Sequence, residues 1–337
     1  MNADELVYLS RDPLNAETPL ERQIGVITPA SRHYVRDHFA IPAAPERLAI
    51  EGAVRTPLQL DLDDVRSLPR RSLIVTLECA GNGRAFLDPP AAGEQWRTGA
   101  VGTAEWTGAS LRTVLEMAGP LANAVELVCV GADAGPSADA KARIAYERSL
   151  PLADAMRDDV LLAYAMNGVD LPREHGAPLR LLVPGWYGMA SVKWLARLRL
   201  AERRFEGFFQ ARRYVVGDRP LREIAPRALI AWPRDGERLP ARPFVARGYA
   251  WSGRGDLARV AVSADGGGSW RDATLDDALS RYAWRQWHAA VAPSASGDLV
   301  LMARAATTDG AQEPLEEVRN DLGYANNAVR PVRIEIA

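Results

Sequence analysis

The sequence contains little cysteine and little histidine. Two cysteines, Cys79 and Cys129, and four histidines occur among its 337 residues. Two cysteines exclude a disulfide framework, and the scattered histidines lack the ligand spacing that is typical of a zinc site. We therefore expect both thiols to stay reduced.

Long apolar runs and a strong net charge are absent as well. No apolar stretch reaches the roughly 18 residues that a membrane helix requires, so we expect no membrane span. The formal net charge of −2 favours neither nucleic acid nor an anionic membrane surface as a partner. The N-terminus shows no basic segment followed by an apolar one, so we expect a cytoplasmic protein, or a periplasmic one if a leader was removed.

Several familiar catalytic motifs are missing from the chain. It has no Gly-x-x-x-x-Gly-Lys loop, no His-Glu-x-x-His, no Gly-x-Ser-x-Gly and no Cys-x-x-Cys-His. These absences argue against a P-loop nucleotidase, a zinc protease of the His-Glu-x-x-His type, an α/β-hydrolase and a covalently bound haem. The chemistry must depend on other patterns.

The pattern of apolar residues changes near residue 226. Residues 1–45 are predicted to be mostly irregular, and residues 46–220 mix strand signals with a helix signal at 111–117. The predicted strands of this part lie at 48–52, 71–75, 124–130 and 160–166, with further regular segments at 179–183 and 191–200. Beyond residue 226, short alternating segments separated by turns are typical of a β-sandwich. We predict an α+β protein with a catalytic domain over residues 1–220, a linker over 217–226 and a β-sandwich domain over 226–337.

One cysteine stands in an unusual setting at the end of a predicted strand. Cys79 is followed by Gly81, Gly83 and Arg84 in a tight loop. A cysteine is most often a small buried apolar residue, and Cys129 in its apolar run fits that interpretation. Around Cys79, however, the glycines let the backbone approach a ligand, and the arginine favours the thiolate that binds metals or attacks as a nucleophile.

Two further clusters carry polar residues. His175, Arg180, Ser191 and Lys193 flank a connection rich in glycine and proline. These side chains can donate hydrogen bonds to a phosphate, although a solvated basic face is an equally good interpretation. The third cluster runs from Tyr34 through Arg36 to His38, and such a segment taken alone is typical of a surface.

Taken together, these motifs resemble those of the sulfite oxidase family of molybdenum enzymes. The resemblance extends from about residue 30 to the C-terminus. It rests on Cys-Ala-Gly-Asn-x-Arg from Cys79, on His-Gly-x-Pro-x-Arg and the residues after it from His175 to Leu195, and on Gly-Tyr-Ala-Trp-Ser-Gly from Gly248. It implies a sulfite oxidase-type mixed α/β molybdopterin-binding domain followed by an immunoglobulin-like β-sandwich, which in the family is the dimerisation domain. A homodimer is therefore expected.

The resemblance also implies the cofactor and its contacts. The cofactor would be molybdenum bound to molybdopterin, with Cys79 as the protein ligand of the metal. A soft thiolate suits a metal that is already held by dithiolene sulfurs. The residues that match the cofactor contacts of the family are Tyr34, Val35, Arg36, Asp37, His38, Asp133, His175, Arg180, Ser191, Val192 and Lys193.

On the substrate side, the match to the family is less complete. Arg36, Arg84 and Trp96 match positions that hold the oxyanion, and with Cys79 they form the predicted catalytic set. Phe205 and Leu322, in contrast, stand where sulfite oxidases typically have a tyrosine and an arginine. Both differences remove polarity from the predicted site.

The implied function is that of an oxidoreductase that oxidises sulfite, or a related sulfur oxyanion, by oxygen-atom transfer. No segment resembles a haem domain, so we expect electrons to pass to a separate acceptor such as a cytochrome. The less polar site leaves a second possibility, a molybdenum-dependent reductase of S-oxides or N-oxides. A third, of another class, is a non-catalytic binding protein with a relic cofactor pocket.

Overall fold

The computed structural model describes residues 6–137, 139–293 and 295–337. Strands dominate, and these residues form four short α-helices: Leu62–Ser67, Leu111–Ala118, Leu152–Ala155 and Phe208–Ala211. Single 3₁₀ turns lie at Leu20–Arg22, Ala30–Arg32, Arg84–Phe86, Arg173–His175 and Gly188–Ala190. None of the helices in the described residues has the length and apolar character needed to cross a membrane.

The first part of the chain is built on two five-stranded sheets. One has the order Val169–Asp170, Leu161–Met166, Val101–Ser110 and Arg70–Glu78, with Arg180–Leu182 also paired to Leu161–Met166. The other has the order Leu58–Leu60, Leu48–Gly52, Leu195–Ala201, Glu126–Ser137 and Ala142–Pro151. In the second sheet, Leu195–Ala201 runs parallel to Leu48–Gly52, which makes the sheet mixed.

The N-terminal region contains a small sheet. Val7–Arg11, Leu14–Glu17 and Val35–Arg36 form a three-stranded sheet within a segment that is otherwise largely irregular, as predicted. Asn15 pairs with Arg36 in this sheet, and Asn15 Oδ1 accepts hydrogen bonds from the Arg36 guanidinium and from the Asp37 amide. The sheet therefore fixes the segment that carries Arg36.

Local sequence explains how the central elements form. In Leu111–Ala118 the buried residues Leu111, Val114, Leu115 and Ala118 recur at helical spacing, and Gly119 ends the helix in the left-handed conformation. Strand Arg70–Glu78 is exposed at its start and buried at its end. It therefore leads from the surface into the interior and delivers Cys79 there.

The second part of the chain is a β-sandwich, as predicted. One sheet contains Arg227–Trp232, Phe244–Trp251, Arg285–Val291 and Thr274–Leu275, and the other contains Arg238–Leu239, Val332–Ile336, Gly297–Thr307, Leu257–Ser263 and Arg271–Asp272. Side chains from both sheets share one core, including Ala246 and Trp287 from the first and Val260 and Leu301 from the second. The two sheets therefore pack face to face around one apolar core.

Aromatic side chains of the sandwich reach into the first part of the chain. Tyr249, Trp251 and Trp284 belong to the same buried cluster as residues of the two five-stranded sheets. The rings of Tyr249 and Trp284 lie 4.4 Å apart, and Trp284 Nε1 donates to the carbonyl of Val26 over 2.7 Å. A small hairpin, Val215–Val216 with Arg219–Pro220, overlaps the start of the predicted linker, and the boundaries 1–220 and 226–337 stay a prediction.

Candidate functional site

Two adjoining cavities meet at Cys79. The inner one is lined by residues of several elements: His33, Tyr34, Arg36, His38, Leu77, Cys79, Ala80, Asp133, Tyr146, His175, Arg180, Gly188, Met189, Ser191, Lys193, Trp194 and Tyr214. The outer one, of about 270 Å³, includes among its lining residues Arg36, His38, Cys79, Arg84, Glu94, Trp96, Asp139, Phe208, Arg213, Tyr214 and Tyr324. A thiol on the wall of both cavities can bind a group in one and act on a molecule in the other.

The loop after Cys79 is shaped by its glycines. The Cys79 amide donates to the carbonyl of Ala100, and Asn82 donates back to the Cys79 carbonyl, each over 2.9 Å. Gly83 has a φ of 89°, and a Cβ on Gly81 would lie 2.7 Å from Nη1 of Arg84. The loop therefore needs glycine at these positions in order to turn tightly and to make room for the arginine.

Burial and nearby cations act in opposite directions on the thiol. Burial raises the pKa of Cys79, while Arg36, the Gly81 amide and Arg84 lower it to a smaller extent. Arg84 acts in the expected direction, but burial has the larger effect, so the free thiol is protonated. A bound metal ion would displace that proton.

The carboxylate next to Cys79 is held by the second part of the chain. Glu78 is almost fully buried, and its Oε1 lies 2.9 Å from Nη1 of Arg227, whose side chain is equally buried. Trp251 Nε1 donates to the other oxygen over 2.8 Å, and Asn82 Nδ2 donates to Oε1 over 2.9 Å. Two β-sandwich residues thereby fix the end of the strand that presents the cysteine.

Buried cations line the inner cavity. Arg180 donates to the carbonyls of His175 and Ser191 over 2.9 Å each, and Lys193 donates to Asp37 and, over 2.8 Å, to the carbonyl of Glu174. Burial lowers the pKa of Arg180 to about 10 and also lowers the pKa of Lys193. Arg180 therefore keeps its charge at neutral pH, and the contact with Asp37 favours the charged form of Lys193. The cavity has the cationic lining that an anionic group requires.

Several buried polar atoms around this cavity have no partner among the described residues. They are Nε2 of His33, Oδ2 of Asp37 and Oδ1 of Asp133. Burial raises the pKa of Asp133 to about 7 and lowers that of His33 to about 4. A buried polar atom without a partner costs about 1–3 kcal/mol. Because His33 and Asp133 both line the inner cavity, a polar ligand there would complete their hydrogen bonds.

In the outer cavity, hydrogen-bond geometry shows that the Tyr214 hydroxyl accepts a hydrogen bond from His38. Nη2 of Arg36 lies 3.1 Å from Nδ1 of His38, and Nε2 of His38 lies 2.6 Å from the Tyr214 hydroxyl. Burial, assisted by Arg36, lowers the pKa of His38, so the imidazole is neutral. Because arginine can only donate, Nδ1 accepts and Nε2–H donates to the Tyr214 oxygen. Burial also raises the pKa of Tyr214, which leaves its own hydroxyl proton available to a molecule in the cavity.

The other predicted substrate residues have fixed positions on the same wall. Arg84 donates to the carbonyls of Leu322 and Glu94 over 2.9–3.2 Å, and its guanidinium lies 4.9 Å from the centre of the Tyr324 ring. Trp96 is fully buried, and its Nε1 has no partner among the described residues. A charged guanidinium and an indole donor are thus held rigidly beside Cys79.

Most of the predicted site residues lie on these walls. The inner cavity includes Tyr34, Arg36, His38, Cys79, Asp133, His175, Arg180, Ser191 and Lys193, and the outer one includes Arg36, His38, Cys79, Arg84 and Trp96. Asp37 lies behind the wall and contacts Lys193. Val35 and Val192 are buried and line neither cavity, so their side chains do not form part of the wall of the site.

The proposed positions of Phe205 and Leu322 need correction. Phe205 lines neither cavity: its amide donates to Glu126 over 2.9 Å, and its ring lies 5.8 Å from the Arg199 guanidinium. Leu322 offers its backbone carbonyl to Arg84 and also lines neither cavity. A nearby tyrosine that lines both cavities is Tyr214, which follows the helix Phe208–Ala211. The side chains of Phe205 and Leu322 therefore do not form part of the wall of the site.

Comparisons with known proteins agree with this architecture. Residues 38–209 match the oxidoreductase molybdopterin binding domain, and residues 219–337 match the Mo-co oxidoreductase dimerisation domain. The mitochondrial sulfite oxidase of Homo sapiens is 37% identical over 97% of this chain, which spans 65% of that relative's length. The sulfite oxidase of Arabidopsis thaliana is 30% identical, with 97% of this chain and 93% of the relative covered. The crystal structure of the sulfane dehydrogenase SoxCD from Paracoccus pantotrophus superposes with a TM-score of 0.83 at 29% identity, covering 97% of this chain and 87% of that one.

Proposed function

The chain belongs to the sulfite oxidase family of molybdopterin-dependent oxidoreductases, and on that premise we propose that it oxidises sulfite or a related sulfur oxyanion. The observation that carries the proposal is the position of Cys79, on the wall between a cationic inner cavity and an outer cavity that carries arginines. The inner cavity suits the cofactor, and the outer one suits the oxyanion.

The residues of the inner cavity fit a molybdopterin. Arg180 and Lys193 supply charge for its phosphate, and the unpaired atoms of His33 and Asp133 supply a donor or acceptor each for its polar ring. Gly188 leaves space on the wall, because a Cβ there would lie 2.4 Å from the Tyr34 hydroxyl. We propose that Cys79 is the metal ligand and that the cofactor, when bound, supplies the oxygen-atom and two-electron chemistry.

The residues of the outer cavity bind and orient the anion. Arg36 and Arg84 are held by other groups before a substrate arrives, so their charges need no reorganisation. The free hydroxyl proton of Tyr214 and the indole N–H of Trp96 add neutral donors. Each hydrogen bond to a charged group is worth about 1.5–3 kcal/mol, so this set favours an oxyanion over a neutral ligand.

The two alternatives lose their support in different ways. The proposal of an S-oxide or N-oxide reductase relied on a pocket made less polar at Phe205 and Leu322, but the lining of the outer cavity includes Arg36, Arg84 and Arg213. The proposal of a non-catalytic binding protein predicts that the polar set around the pocket has decayed, yet those side chains are still buried and oriented toward the cavities.

Assembly and electron transfer complete the proposal. The match to the dimerisation domain supports a homodimer. We propose that electrons leave to a separate acceptor, for which a cytochrome is the candidate, and that the protein acts in the cytoplasm, or in the periplasm if a leader is removed.

The experiment that tests the function is an anaerobic reduction. Protein shown by metal analysis to hold molybdenum is mixed with sulfite, and the visible absorption of the centre is followed. Bleaching by sulfite, absent in Cys79→Ser, is expected. A spectrum that sulfite leaves unchanged but a strong chemical reductant bleaches would refute sulfite as the substrate.

A further inference from the structure

A partly exposed ion pair lies on the lining of the outer cavity. Nη2 of Arg213 contacts Oδ2 of Asp139, and the two side chains are 34% and 55% exposed. Arg213 follows the helix Phe208–Ala211, whereas Asp139 lies in the connection between strands Glu126–Ser137 and Ala142–Pro151. Both residues line the cavity, so the pair joins two separate segments across it.

Arg213 differs from the two deeper arginines in what holds it. Arg84 donates to two backbone carbonyls, and Arg36 is held by Asn15, by His38 and by the carbonyl of Asp37. The side-chain hydrogen bond of Arg213 goes to an exposed carboxylate, and its guanidinium lies 5.9 Å from the Phe208 ring. An exposed ion pair is worth at most about 1 kcal/mol, so a competing anion can displace Asp139 at little cost.

The charge of Arg213 acts on the groups of this cavity. Burial and Arg36 lower the pKa of His38 most, and Arg213 lowers it further. Burial raises the pKa of Tyr324, and Arg84 and then Arg213 lower it. Both residues line the outer cavity. The Arg213 guanidinium therefore contributes to the electrostatic potential that an anion meets in the outer cavity.

We propose that Arg213 is a specificity-determining residue that captures the anionic substrate and that Asp139 is a built-in competitor which occupies it in the empty site. The inference rests on the proposed function, because it assumes a sulfur oxyanion as substrate. In the empty site, the Asp139 carboxylate accepts the hydrogen bond from Arg213 that a substrate oxyanion would otherwise accept. Neutral molecules gain nothing from the exchange, so the pair favours anions over neutral S-oxides.

The kinetic test uses opposite changes at the two partners, with sulfite as substrate of the molybdenum-loaded enzyme. Arg213→Gln should raise KM by roughly tenfold with little change in kcat, because a charged hydrogen bond is lost before chemistry. Asp139→Asn should lower KM several-fold, because the competitor is gone. The matched control is Arg66→Gln, which breaks another exposed ion pair, 2.7 Å to Asp170, and should leave KM unchanged.

A binding measurement separates this inference from the proposed function. Sulfate is titrated into each variant and its affinity is measured by calorimetry, with the melting temperature as a check on folding. Weaker binding in Arg213→Gln and tighter binding in Asp139→Asn would support the inference, even if the enzyme does not oxidise sulfite. Unchanged sulfate affinity and unchanged KM in both variants would overturn it, even if sulfite turnover depends on Cys79.

Discussion

The buried ion pair behind the cysteine makes a prediction about stability that can be quantified. The side chains of Glu78 and Arg227 are only 2% and 3% exposed, and their charged atoms lie 2.9 Å apart. Arg227→Met keeps a long apolar side chain but leaves the carboxylate buried without a counter-charge. Removing one partner of a buried pair costs about 3–5 kcal/mol, so we expect a loss of that size in the free energy of unfolding.

Urea unfolding followed by tryptophan fluorescence provides the assay, with two comparison variants. Arg66→Met breaks an ion pair whose side chains are 37% and 86% exposed, and it should cost less than about 1 kcal/mol. Adding Glu78→Gln to Arg227→Met should recover part of the loss, because a neutral amide needs no counter-charge. If Arg227→Met were as mild as Arg66→Met, or if Glu78→Gln recovered nothing, the assignment of a charged buried pair would be refuted.

Three further predictions concern the site itself. Cys79→Ser should leave the melting temperature within a few degrees of the parent but abolish sulfite turnover, and an active variant would refute the role as metal ligand. Gly188→Ala should reduce the molybdenum that the protein retains, measured by metal analysis, because its Cβ would lie 2.4 Å from the Tyr34 hydroxyl and push that side chain into the inner cavity. Full retention of molybdenum would contradict the role of the inner cavity as the cofactor site. Burial raises the pKa of Asp133 from 3.8 to about 7, so its contribution to stability is present below about pH 4 and is lost as the pH rises through about 7. In cofactor-free protein Asp133→Asn should therefore gain stability relative to the parent from about pH 5 to 8, by at most about 4 kcal/mol, and parallel melting curves across this range would contradict it.

Short motifs could be interpreted from the sequence because their residues contact one another within a short stretch of the chain. The loop after Cys79 combines glycines and an arginine that meet within a few residues, and His175 and Lys193 converge across one connection. The β-sandwich could be predicted from alternation, since each layer has one buried face. In these cases local pattern and tertiary role coincide.

Residues that reach the site from distant segments could not be predicted. Tyr214 touches His38 across 176 positions, and Arg213 meets Asp139 across 74. Comparison of sequence motifs placed Phe205 at the position of the family's tyrosine. Tyr214 reaches the cavity only because of the path that the chain takes through the helix Phe208–Ala211. Likewise, strand Val101–Ser110 was not predicted, because it is buried nearly throughout and rich in small residues, so no alternation marks it.

The contacts of Glu78 also bear on how proteins of this kind can diverge. The carboxylate lies in the first part of the chain, whereas Arg227 and Trp251 belong to the β-sandwich. A chimera that joined residues 1–220 to a β-sandwich without those two side chains would leave a buried carboxylate uncompensated next to the cysteine. The contacts of Glu78 therefore constrain recombination between relatives: the two parts of the chain must be inherited together, or substitutions at Glu78 must be matched by substitutions at Arg227 and Trp251.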